Sequence, residues 1–376
     1  MKFIWMILFA VPATILALAS VPLPCSTVVD CGHAGRPGER VDGRPVYRTI
    51  GEALLTVPST REGPFVIFIR KGIYREKISI DLGAIHLTGE DRDSSVITFD
   101  AASGSAAPDG KPYGTRGCFT LRITKPDFRA ENLTIENSFD CPGNAAKPDD
   151  DPSKIADAQG VAVMTAGSCD RAVFIRCIIR GYQDTLFPDA GRHYFYECRI
   201  LGHVDFIFGA GQAVFEDCDI VSRDREGKDP AGYITAPSTP ISFPYGFLFL
   251  DCRLSRETPE LPARSVRLGR PWHPGADPAA SGSAVFIRCR MDDHIGPEGY
   301  APISSRDSEG RKIVFGLEKD SRFFEFQSHG PGAIESPSRP RLDEKAAAWY
   351  QKAYVLEGWM PEEDMEPSSI PWRQGE

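Results

Sequence analysis

Two short runs each set one carboxylate among apolar and aromatic residues: Gly181-Tyr182-Gln183-Asp184-Thr185-Leu186-Phe187 and Gly202-His203-Val204-Asp205-Phe206-Ile207-Phe208-Gly209. Two Asp held close together in such surroundings cannot both ionise readily. One is pushed to stay protonated while the other keeps its charge, so a single residue type can supply both an acid and a nucleophile. Further on, Leu268-Gly269-Arg270-Pro271-Trp272 offers an Arg able to hold a charged Asp and a Trp able to form a flat apolar platform. A lone Asp in a turn usually caps its own backbone. Asp205 instead sits inside an apolar run, where an unpartnered carboxylate is costly, and Arg270 is its natural partner. A purely structural Asp205–Arg270 pair is the alternative, since buried ion pairs also occur without a catalytic role.

The elements that must position these groups repeat themselves. Phe174, Phe195, Phe215, Phe249 and Phe286 each stand three residues before a cysteine, namely Cys177, Cys198, Cys218, Cys252 and Cys289, in short apolar runs. Successive cysteines are 21, 20, 34 and 37 residues apart. A period near 20 with one short strand per unit marks a solenoid, and the longer gaps are loops on one face. Earlier coils are visible at 65–70, 85–89, 96–99 and 128–135. Asp205 follows Asp184 by 21 residues, one coil, which stacks the two carboxylates on one face. The expected fold is a single-domain, all-β, right-handed parallel β-helix. A capping helix is predicted within 45–58 and a C-terminal helix over 342–356, capped by Asp343, with Trp349, Ala353 and Leu356 along one face and Gly358 ending it. The Pro- and Asp-rich stretch 140–154 reads as a surface loop.

Composition bounds the partners. The 376 residues carry a net charge of −9 with no long basic run, which argues against nucleic acid. An acidic surface also disfavours a strongly anionic polymer over a neutral or esterified glycan. After Lys2, the uncharged stretch 3–19 is broken by Pro12 and ends in Ala17-Leu18-Ala19, so residues 1–19 read as a secretory signal and 20–376 as the mature domain. An uncleaved anchor is the alternative, while lipid attachment at Cys25 is disfavoured by Pro22-Leu23-Pro24 before it. No membrane contact is expected once the signal is removed. Ten cysteines in a secreted chain permit disulfides, and the absence of any Cys-x-x-Cys argues against structural zinc. Neighbouring strands lie about 4.8 Å apart, within disulfide range, so Cys198 could reach Cys177 or Cys218. Buried thiols are the plainer reading, and Cys25–Cys31 is a further candidate pair. Asn132-Leu133-Thr134 is a glycosylation sequon that a buried strand would silence.

In their order along the chain, Gly72-Ile73-Tyr74-Arg75-Glu76, Gln159-Gly160-Val161-Ala162-Val163 and the runs around Asp184, Asp205 and Arg270 resemble the signature of the pectin methylesterases (pectinesterases). Tyr233-Ile234-Thr235-Ala236-Pro237-Ser238 and Trp272-His273-Pro274 are similar to the bacterial branch of that family. The resemblance spans roughly residues 40–360. It implies hydrolysis of galacturonate methyl esters in pectin (methyl-esterified homogalacturonan), without metal or cofactor, by a secreted monomer. Asp205 then resembles the nucleophile, Asp184 the acid and base, Gln159 and Gln183 the oxyanion donors, and Arg270 the residue orienting Asp205. Phe208, Trp272, Arg225, Tyr182 and Ala236 resemble substrate-contacting positions, Arg225 being equally readable as a solvated surface residue. Tyr74 and Glu76 read as structural. The resemblance also favours Cys198–Cys218 as the bridge. The chain departs from the pattern at Gly160, expected to loosen the strand carrying Gln159, at His203, expected to alter local titration, and at Ala210 and Tyr300.

Other readings are weaker. A pectate lyase needs a calcium-binding acidic cluster, and a polygalacturonase needs further carboxylates around its bond. A non-catalytic glycan-binding solenoid would tolerate a broken Asp, Gln and Arg set, yet the set is whole. No Gly-x-Ser-x-Gly elbow supports a serine esterase.

Overall fold

The computed structural model describes residues 25–361. The expected signal at residues 1–19 lies outside them, as do residues 20–24 and 362–376. Among the described residues no helix is long and apolar enough to cross a membrane.

Each coil gives one strand to each of three sheets, of 12, 8 and 7 strands, and the pairing between coils is parallel. The repeated Phe residues fall in register. Phe174, Phe195, Phe215, Phe249 and Phe286 stack at 4.8, 4.7, 4.6 and 4.5 Å between ring centres. This ladder is the spine of the core, and all five rings are fully buried.

The cysteines occupy the corner that follows. The residue before each one takes a left-handed conformation: Arg176, Glu197, Asp217, Asp251 and Arg288 have φ between 49° and 53°. That turn swings the chain from the 12-stranded sheet to the 8-stranded one and points the thiol inward. Each later thiol donates to the Phe carbonyl one coil back, as Cys198 Sγ does to Phe174 O at 3.3 Å and Cys218 Sγ to Phe195 O at 3.4 Å. All ten cysteines are free thiols, so neither the Cys198–Cys218 bridge nor Cys25–Cys31 is formed. A small apolar side chain with a weak donor suits this corner as a thiol. Asn132 sits at an equivalent corner with φ 55°, and its amide donates to Gly89 O at 3.0 Å.

The ends differ from the helical expectations. Within 45–58 the helix covers only Ile50–Leu54, because Arg44–Tyr47 pairs as a strand and Thr49 and Glu52 form a capping box. Glu76 accepts from Ile50 N and Gly51 N at 2.9 Å each, which explains its structural role. Tyr74 ties the same corner through Arg70 O at 2.9 Å. The expected loop at 140–154 contains a helix, Cys141–Ala146, started by Asp140 accepting from Gly143 N. The C-terminal segment forms two short helices, Glu344–Ala347 and Lys352–Val355, rather than one. Asp343 caps the first as expected, but extended backbone at Gln351 interrupts the run and leaves Trp349 61% exposed. Val355 and Leu356 pack against the outer face of the long sheet.

Removing one ring from the spine should leave a cavity that the stacked coils cannot close. Phe215→Ala is expected to destabilise the protein by roughly 3–5 kcal/mol, whereas Leu55→Ala, at an exposed site, should change stability by less than about 0.5 kcal/mol. Urea unfolding followed by tryptophan fluorescence measures both, and equal midpoints for the two variants would refute the role of the ladder.

Candidate active site

The seven-stranded sheet runs through Ile78–Ile80, Leu121–Ile123, Val163–Thr165, Leu186–Pro188, Val204–Gly209, Gly232–Pro237 and Val266–Gly269. Leu186 pairs with Ile207, and both face the core. Asp184 and Asp205 each precede that pair by two residues, so they stand one above the other on adjacent coils. Asp184 N donates to Val204 O at 3.1 Å. Both aspartates have left-handed backbone, φ 62° and 51°. Asp tolerates that region better than most residues, and such strain concentrates at functional sites.

Arg270 follows the last of these strands, its N–H donating to Thr235 O at 3.0 Å. From there the guanidinium spans both oxygens of Asp205, Nε to Oδ1 at 2.8 Å and Nη2 to Oδ2 at 2.5 Å. Its other face lies 4.1 Å over the Tyr233 ring, a partner that sequence reading did not single out. Asp205 is 8% exposed, so this two-pronged pair is what allows a charge there. Asp184 has no such cation. Burial, and then the charge of Asp205, hold its carboxyl well above the usual carboxylate range, with Arg270 opposing them only in part.

Gln159 lies one coil before Gln183, and Gly160 N donates to Gln183 O at 3.0 Å. The Oε1 of Gln159 is buried without a partner among the described residues. Gln159 and Gly160 lie in irregular chain just before the Val163–Thr165 strand, so the expected loosening of a strand does not apply. A Cβ on Gly160 would come 2.9 Å from Asn137 Oδ1. The Asn137 amide fills that space, donating to Ala101 O and Cys118 O at 2.9 Å and to Val161 O at 3.2 Å. Asn137 was not legible as a site residue, because its partners are backbone carbonyls on three separate segments.

An apolar floor adjoins the carboxylates. Phe187 and Phe208 stack at 4.1 Å, Trp272 meets them edge-on at 6.2 and 5.6 Å, and Met164, Phe119 and Ala236 complete the cluster. Phe206 turns instead into the core. Tyr182 is held between His203, 5.5 Å away, and the Arg223 guanidinium at 3.9 Å. His203 is buried. Burial first, then Arg225 and Arg223, lower its pKa to about 3, so it remains neutral. Arg225 is half-buried on the same side. Tyr300 stacks on Phe323 at 4.7 Å within the core, so its departure from the family pattern is a matter of packing.

A hollow of about 700 Å³ lined by Arg61, His86, Asp127 and Trp359 shares no residue with this site. Among the described residues no group of three His, Cys, Asp or Glu is placed to hold a metal ion.

The family model for pectinesterase matches residues 40–339. Pectinesterase A of Dickeya dadantii is 44% identical over 331 residues, covering 85% of this chain and 89% of that protein. A pectinesterase of Petunia integrifolia is 31% identical, covering 78% of this chain and 70% of its own. Among solved structures, the pectin methylesterase of Erwinia chrysanthemi superposes with a TM-score of 0.84 at 42% identity, covering 90% of this chain and 99% of its own. That of Yersinia enterocolitica gives 0.80 at 44%, covering 83% and 99%.

The raised pKa of Asp184 has a consequence for stability. Its protonated form is favoured by the fold, so its contribution is fully present below the ordinary carboxylate value of about 4 and is lost as pH rises through the folded value. Asp184→Asn should therefore be more stable than the native protein at pH 7, with the gap closing towards pH 4. Urea midpoints at the two pH values test this, and a variant less stable at pH 7 would contradict it.

Proposed function

Because this chain belongs to the pectinesterase family, we propose that it hydrolyses galacturonate methyl esters in pectin with Asp205 as nucleophile and Asp184 as acid and base. The observation that carries this reading is the unequal treatment of two stacked carboxyls: Arg270 grips both oxygens of Asp205, while the half-buried Asp184 has no cation of its own and desolvation holds it well above the usual carboxylate range.

An oxygen of Asp205 attacks the ester carbonyl carbon. The carbonyl electron pair moves onto oxygen, where the side-chain N–H groups of Gln159 and Gln183 receive the negative charge. Neutral amides suit this place, because a cation there would pull the proton from Asp184. The tetrahedral intermediate collapses, the bond to the methoxy oxygen breaks, and the proton of Asp184 goes to departing methanol. An anhydride now joins Asp205 to the sugar carboxyl. Asp184, now charged, takes a proton from water, and the resulting hydroxide attacks the sugar carbonyl carbon. The products are a galacturonic acid carboxyl, which then loses its proton to solvent, Asp205 as it began and a protonated Asp184. Trp272, half-buried and edge-on to the buried Phe187 and Phe208, offers the apolar surface on which a sugar ring would lie, with the half-buried Tyr182 and Arg225 as further contacts, while Ala236 is buried with the two Phe rings. Secretion is part of the same proposal and rests on residues 1–19 alone.

Purified protein acting on highly methylated pectin should release methanol while polymer length stays constant. Asp205→Ala should lower the rate by about 10⁴-fold or more, and Gln183→Ala by roughly 10²–10³ in kcat. The rate should also fall as pH rises past the raised pKa of Asp184, since the first half-reaction needs its proton. Methanol assays beside size-exclusion chromatography give all four readouts. Shortened polymer without methanol would replace the esterase by a chain-cleaving enzyme.

A further inference from the structure

Gln159 stands in irregular chain, and its Oε1 has no partner among the described residues. What fixes its place is therefore its backbone. The Gln159 carbonyl accepts from Ser103 N at 2.7 Å and from Cys118 Sγ at 3.5 Å, both on the coil before. On the other side, Gly160 N donates to Gln183 O at 3.0 Å on the coil after. Donors aimed at a developing charge act only when held in place beforehand, so the groups that lock these contacts bear on the chemistry.

Asn137 ends the strand Thr134–Asn137 of the eight-stranded sheet and is buried, at 4% exposure. Its two amide hydrogens serve three carbonyls, Ala101 O and Cys118 O at 2.9 Å and Val161 O at 3.2 Å. Its own oxygen accepts from Phe139 N at 3.1 Å. These partners coincide with the supports of Gln159. Ala101 is two residues from Ser103, Cys118 is itself a contact of the Gln159 carbonyl, and Val161 is two residues beyond Gln159. The bare backbone of Gly160 lies directly against the amide, since a Cβ there would come 2.9 Å from Oδ1. One buried side chain thus ties together the segment carrying Gln159 and both segments that hold it. Without that amide the carbonyls lose a donor inside the core, where an unserved acceptor is costly.

We propose that Asn137 is a positioning residue for the ester hydrolysis, acting through Gln159. It fixes the Gln159 peptide so that the side-chain amide meets the charge that grows on the ester oxygen. Asn137 itself touches neither the sugar nor the reacting atoms. This rests on the esterase reading above and adds to it the group that sets one of its two oxyanion donors.

The test is a double-mutant cycle read by methanol release from highly methylated pectin. Asn137→Ala should lower kcat roughly 10- to 100-fold, the loss expected when a reacting group is slightly misplaced, and leave KM within about twofold. In a Gln159→Ala background the same change should alter kcat by less than about twofold, because the residue it acts through is gone. Phe215→Ala weakens the core without touching Gln159, so it should leave kcat within about twofold in both backgrounds. Thermal melts fix an assay temperature at which every variant is folded. Asn137→Ser keeps one donor and should lose less than Asn137→Ala, and it takes that variant's place in the cycle if Asn137→Ala does not fold. An equal loss in both backgrounds, a change in KM rather than kcat, or no change at all would make Asn137 structural and overturn the assignment. No methanol from the native protein would overturn the esterase reading itself, and full activity in Gln159→Ala would overturn the oxyanion role of Gln159, each taking this assignment with it.

Discussion

The main-chain hydrogen bonds between coils hold every strand at a fixed height and register over the one before it, about 4.8 Å apart. Because side chains alternate in and out, a slip of one residue would exchange core and surface along a whole strand. The Phe ladder stands against such a slip, since each ring is fully buried and stacked on its neighbours. The left-handed corners repeat the same turn coil after coil. Each costs about 1 kcal/mol or more for a non-glycine residue, and burial of the ring and thiol beside it offsets that cost. Once the register is set, Asp184 lies over Asp205 without any further device.

Within that frame, one cation is shared unequally between two acids. Arg270 can offer its planar fork to only one carboxylate at a time, and it gives both bonds to Asp205. Tyr233 supports the guanidinium from the other side. Asp184 is left with the cost of burial and the repulsion of its neighbour. The aromatic floor sharpens this difference, because it keeps water from screening the charges. The buried His203 adds no positive charge nearby, since burial keeps it neutral. Two residues of one chemical type are therefore held in different ways, one by a two-pronged cation and the other by desolvation beside a like charge.

The cysteines show how the solenoid uses a residue type in a way its count does not reveal. Ten cysteines suggest cross-links, but the corner positions ask for a small apolar group that can offer a weak hydrogen bond to the coil behind. Stability here comes from stacked burial repeated along the axis. The strands on either side of each corner are already fixed by backbone pairing, so a covalent bridge would constrain little more.

The sequence by itself determined the period, and with it the solenoid, because a core of stacked coils forces the same residue types to recur at the same place. It also determined that Asp184 and Asp205 are one coil apart and that a carboxylate inside Val204-Asp205-Phe206 needs a cation, since those follow from spacing and burial alone. Asp343 as a helix cap was legible for the same local reason. Asp205 as the acid that Arg270 holds, and buried thiols as the plainer state of the ladder cysteines, were legible too, whereas only the tertiary structure decided that Tyr233 lies beneath Arg270 and that Asn137 fills the space beside Gly160. It also split the C-terminal helix. Each of these depends on contacts between segments tens of residues apart, whose partners are backbone groups or the edges of rings, and no local pattern of residue types records them.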